Sequence, residues 1–118
     1  MAEPLVLRGI ELRYALTNYL SLHGERTVQE LVEGLIYLGF GFHGRPSKAV
    51  SDALRWEVRL GRVYARRRAL YGPGEMPRST AYRIDRRVTE LRERAALSRP
   101  EVTSKHPPWQ HDQTQWRP

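Results

Sequence analysis

The 118-residue chain contains no cysteine, which excludes disulfides, thiolate nucleophiles and cysteine-based zinc fingers. Lysine is almost missing too, occurring only at Lys48 and Lys105, so nearly all the positive charge is arginine. Long apolar runs are lacking. The best stretch, Leu31 to Phe42, is interrupted by Glu33 and glycines and falls short of bilayer length. The opening Met1-Ala2-Glu3-Pro4 lacks the basic start and apolar run of a signal peptide, so a cytoplasmic setting without membrane association is expected. Paired carboxylates for acid–base work, a Ser-His-Asp set and a Gly-rich loop ahead of a lysine are not found as coherent arrangements. His106 and His111 have no cysteine or third ordered ligand to complete a metal site. The expectation is a protein that is not an enzyme, with no catalytic residues, no metal and no cofactor.

What the chain does have is localised positive charge. Its formal net charge is +7 and its isoelectric point near 10.4, which favours a polyanionic partner. Between Arg45 and Arg68 stand eight cations (Arg45, Lys48, Arg55, Arg59, Arg62, Arg66, Arg67, Arg68) against Asp52 and Glu57 alone. Nearly the whole excess therefore sits in about one fifth of the chain. Arginine offers a planar fork suited to phosphate and to guanine edges.

Apolar spacing predicts a first helix from about Val6 to Leu22, with Ile10, Tyr14, Leu16, Tyr19 and Leu20 inward and Arg8, Glu11, Arg13 and Asn18 wet. Thr27 and Glu30 fit a capping box that opens a second helix ending near Leu38. The segment Gly39 to Gly44 reads as a turn with two aromatic anchors, Phe40 and Phe42. A third helix opens at Arg45-Pro46-Ser47, capped by Arg45 or Ser47, and stops at Gly61. Val50, Ala53, Leu54 and Val58 form its buried stripe, and Lys48, Ser51, Asp52, Arg55 and Arg59 fall on the opposite side by the helical period. Arg62 to Leu70 and Ser79 to Ile84 read as two strands joined by the Gly/Pro-rich stretch Tyr71 to Pro77. Tyr64 and Tyr82 would then face each other across the hairpin. A fourth helix spans about Asp85 to Leu97 with Val88, Leu91 and Ala95 inward. Residues 5–97 form one domain. Residues 98–118, rich in Pro, Gln and His and carrying Trp109 and Trp116, read as a disordered or partner-docking tail.

The chain resembles the winged helix-turn-helix family, and in particular small bacterial, actinobacterial-type members with an Arg-rich wing. The residues that carry the likeness are Thr27-Val28-Gln29-Glu30-Leu31 at the second helix, Pro46 to Arg55 in the recognition-helix position, and Gly61-Arg62-Val63 where the wing begins. The resemblance implies an α+β fold of three helices, a β-hairpin wing and a C-terminal helix. It implies double-stranded DNA as partner, a transcriptional regulator as role, and a homodimer through the first and last helices. The third helix would enter the major groove, with Arg45, Ser47, Lys48, Ser51, Asp52, Arg55 and Arg59 approaching bases or phosphates. Arg66, Arg68 and Arg78 would form the wing, against the backbone or the minor groove, while strand alternation turns Arg67 away. A non-specific nucleoid binder, a protein-interaction module on the same fold, and an RNA or ribosome binder are the alternatives. One position departs from the family pattern. Glu57 stands where an apolar residue is usual, facing an arginine such as Arg83 or displaced by rotation so that Val58 takes the core. Trp56 reads as packing under the wing or at the helix boundary, in preference to a base-stacking platform.

Overall fold

The computed structural model describes residues 3–98 as an α+β fold of four helices and two small sheets. The order is β1 (Leu5–Leu7), α1 (Ile10–His23), β2 (Arg26–Thr27), α2 (Val28–Tyr37), β3 (Phe40–Phe42), α3 (Pro46–Arg59), β4 (Val63–Arg67), β5 (Leu70–Pro73) and α4 (Arg78–Ser98). The segment bearing Trp109, Trp116, His106 and His111 lies outside the described residues. Among the described residues no helix is long and apolar enough to cross a membrane.

Helix α1 starts later than its apolar spacing suggests, because Leu5–Leu7 is a strand. It pairs in parallel with β3, Leu5 beside Phe40 and Leu7 beside Phe42. The expected Gly39–Gly44 turn is thus partly a strand. Glycine at position 41 lets Pro4 approach closely, since a Cβ there would press on the proline ring at 3.0 Å. The inward residues of α1 are Leu12, Ala15, Leu16, Tyr19 and Leu20, whereas Ile10 is half exposed and Asn18 is buried. Asn18 donates from its amide to Asp85 of α4 (3.1 Å), which satisfies a polar group that burial would otherwise penalise.

Helix α2 opens as the capping box predicts: the Glu30 amide donates to Thr27 Oγ1 (3.1 Å) and the Thr27 amide to Glu30 Oε1 (2.9 Å). Helix α3 has Arg45 at its N-cap, without a side-chain cap bond, and Pro46 in the first turn. It buries Val50, Ala53, Leu54 and Glu57; Val58 is exposed, so the helix is not rotated to bring it inward.

The hairpin is tighter and earlier than expected. Strands β4 and β5 are antiparallel and joined by Arg68-Ala69 alone, with Ala69 left-handed at φ 60°. The Val28 amide donates to the Ala69 carbonyl (3.0 Å), so the turn also satisfies a free donor at the start of α2. β2 pairs with β5, giving sheet order β2-β5-β4. The Gly/Pro-rich stretch does not form the hairpin tip. It closes back on the end of α3 through Gly74 N–H to Arg62 O (2.9 Å), where any Cβ on Gly74 would collide with the Gly61 carbonyl.

Residues 79–84 belong to α4, which corrects the second strand. Ala81 N–H already donates to Pro77 O (3.0 Å), and Ile84, Val88, Leu91 and Ala95 continue one buried stripe against α1. The short Ser-Thr-Ala-Tyr-Arg-Ile alternation loses to that longer period. Tyr82 is consequently an exposed helix residue, remote in role from Tyr64, and no cross-strand tyrosine pair forms.

Candidate nucleic-acid interface

Helix α3 carries two opposed faces. Val50, Ala53, Leu54 and Glu57 point into the protein, while Arg45, Ser47, Lys48, Arg55 and Arg59 are exposed and Ser51 and Asp52 half-buried. On the outer stripe Asp52 is a local counter-charge. Lys48 Nζ donates to its carboxylate at 3.0 Å and Arg55 stands at 3.6 Å. Arg59 stacks over Trp56 with its guanidinium 5.0 Å from the ring centroid, and Arg13 of α1 covers the same ring at 5.4 Å. Trp56 is half exposed, so it lies on the surface between two arginines and not under the wing.

Beneath that face sits Glu57, fully buried. Its carboxylate accepts from Arg62 Nε and Nη2 (both 2.8 Å), from Thr17 Oγ1 (2.7 Å) and from Arg13 Nε (3.0 Å). Burial alone would push its pKa up. The bonds from Arg62, Thr17 and Arg13 outweigh that and hold it below the ordinary carboxylate range. Arg62, matched by this bidentate contact, is held above its usual value. Glu57 does face arginines, as one expectation had it, but they are Arg13 and Arg62, joined by Thr17, and not Arg83; the alternative rotation toward Val58 does not occur. The hub ties α1, the end of α3 and the start of β4 to one point.

The hairpin cations fare differently. Arg66 Nη1 donates to both oxygens of Glu25 (3.1 and 2.9 Å), and the Tyr64 hydroxyl donates to the same carboxylate (2.6 Å). Bonds from Tyr64 and Arg66, with the charge of Arg67, lower the Glu25 pKa. Arg66 is therefore exposed but clasped, whereas Arg67 and Arg68 are exposed and make no ion pair among the described residues. A register irregularity between Ala65 and Arg67 breaks the strand alternation, so Arg67 is not set aside by it. Arg78 opens α4 and does not belong to the hairpin, which ends at Pro73.

The structure thus gathers Arg45, Ser47, Lys48, Ser51, Asp52, Arg55 and Arg59 on one helix, holds Arg66 and Arg68 on a short hairpin, and separates Arg78 from both. Arg13 and Arg8, expected only on the wet face of the first helix, and Glu25 and His43 were not among the residues expected at the interface. Arg8 and His43 directly follow the paired residues Leu7 and Phe42, so both leave the parallel ribbon at the same end. Both line an open groove of about 370 Å³ next to α3, with Leu7, Arg13, Asp52 and Trp56. Comparison with known protein families, curated proteins and solved structures finds no match for this chain.

Proposed function

We propose that this chain is a winged helix-turn-helix protein that binds double-stranded DNA with α3 in the major groove, acting as a transcriptional regulator. The observation that carries the reading is the outer face of α3, where Arg45, Lys48, Arg55 and Arg59 are exposed opposite a buried apolar side. The connectivity supports it. From α1 onward the order is helix, short strand, helix, the three-residue β3, helix and hairpin, and the short strand β2 joins the hairpin sheet as β2-β5-β4. The loose cations Arg67 and Arg68 at the hairpin turn would touch the backbone, while Arg66 is held back by Glu25.

Phosphate contacts supply salt-dependent affinity, and Ser51, Asp52 or Arg55 are the candidates for base edges. The homodimer implied by the resemblance belongs to this reading, with α1 and α4 as its faces. Anisotropy titration of a random 20-base-pair duplex tests the core claim. Six phosphate contacts give a log–log salt slope of about −5. No binding at low salt, or binding indifferent to salt, would sink it. Light scattering at micromolar concentration reads the dimer separately.

A further inference from the structure

We infer that the groove between the end of the β1–β3 ribbon and α3 seats the DNA sugar–phosphate backbone flanking the recognition helix, with Arg8 and His43 as its contacts. The inference rests on the DNA-binding reading and extends it to residues outside both α3 and the hairpin.

The ribbon itself is the first reason. The two three-residue parallel strands anchor in the core through Leu7 and Phe40, and their register sets Leu7 beside Phe42, so Arg8 and His43 leave the ribbon at the same end. Both are exposed, and neither makes an ion pair among the described residues. The groove they border has an apolar floor of Leu7, Ala49 and Ala53, and Trp56 as one wall. Its one acid, Asp52, is already engaged by Lys48 and Arg55, so the rim stays cationic. Arg13 lines the groove too, but its Nε is given to Glu57.

Shape decides what kind of anion fits. The groove is open and runs alongside the exposed α3 stripe, sharing Asp52 and Trp56 with it. An elongated polyanion can pass over the stripe and the groove together, whereas a compact ligand would find few walls to enclose it. By contrast the hairpin, where the wing contact is expected, has Arg66 committed to Glu25. Arg67 and Arg68 remain for that contact, and the ribbon adds Arg8 and His43 as a separate backbone grip beside α3.

The test compares three variants of the full chain on one duplex over a range of salt. Arg8→Ala/His43→Ala is expected to bind about tenfold more weakly, equally on unrelated sequences, with the salt slope less steep by about one contact or more. Arg66→Ala, which also removes an exposed cation, should change affinity less than twofold. Arg55→Ala reports on the α3 reading by itself. If Arg55→Ala weakens binding and Arg8→Ala/His43→Ala does not, the groove inference is overturned and the α3 reading stands. Equal losses at Arg8/His43 and at Arg66 would show a general charge effect and also overturn it. If the unaltered protein ignores duplex DNA, both fall. A second readout uses Trp109→Phe/Trp116→Phe, which leaves Trp56 as the lone tryptophan. Its emission should shift on adding duplex, and an unchanged spectrum at saturation counts against the groove.

Discussion

Strand β4 is held by a carboxylate at each end, and the two carboxylates live in different solvents. Glu57 grips Arg62 just before the strand and is sealed from water; Glu25 grips Arg66 within it and is open to water. Both pKa values lie below the ordinary carboxylate range, yet the meaning differs. A buried charge left without its partners carries a desolvation cost of several kcal/mol, so the Glu57 cluster is all-or-none. An exposed pair is screened by water and salt, so the Glu25 clasp adjusts local charge without deciding the fold. One acid builds the interface and the other moderates it.

The largest effect is expected on removing the buried acid. Glu57→Ala leaves the part-buried Arg62 and Arg13 without their shared carboxylate and should cost about 3 kcal/mol. For a domain near this size that lowers the thermal midpoint by about 10–20 °C, readable by circular dichroism. An unchanged midpoint would mean that the cluster is no more structural than the clasp.

Acid should expose the same asymmetry. Because the folded pKa of Glu57 is depressed, its contribution is complete above the unfolded carboxylate pKa of about 4.3. It declines as pH falls below that point and is gone once pH passes the lowered folded value. Urea midpoints between pH 7 and pH 3 should therefore fall at the acid end in the unaltered chain. Glu57→Gln, already weaker at pH 7, should lose this component of the slope. Glu25→Gln should retain it.

DNA affinity comes next in size. Arg55→Ala should weaken duplex binding about tenfold while leaving the melting curve in place, since Arg55 is exposed and pairs only with Asp52 among the described residues. An accompanying loss of stability would assign Arg55 to the fold. The smallest effect belongs to the clasp. Glu25→Gln removes a counter-charge from Arg66 and should tighten duplex binding two- to threefold at low salt, with the gain vanishing at high salt. A gain that persists in high salt would mean that the substitution reshapes the hairpin.

Local signals were readable in the chain and nonlocal ones were not. The Thr27–Glu30 capping box, the Val88/Leu91/Ala95 stripe and, apart from the exposed Val58, the Val50/Ala53/Leu54 stripe each involve residues within a few turns of one another and appear as expected. The concentration of arginine between Arg45 and Arg68 is likewise visible without coordinates. The hairpin turn was misplaced because Tyr71 to Pro77 is richer in turn residues than Arg68-Ala69, yet Ala69 is held left-handed and its carbonyl takes the Val28 amide. A full account of the buried spacing 84-88-91-95 would have extended α4 upstream. The β1–β3 pair leaves almost no local trace, since three-residue strands paired 35 positions apart have no period to detect.

The chain alone settled which residues are charged, where helices α2 and α3 begin, and that the cations of α3 share a side, because a helix imposes its period on any sequence that forms one. Tertiary packing decided which of those cations are available. Glu57 becomes a hub only because Thr17 and Arg13 of α1 and Arg62 at the start of β4 converge on it. Arg66 is restrained because Glu25, 41 positions away, meets it across the sheet. Charge is a property of a residue, but its availability depends on distance and on water, and those exist only once the chain has folded.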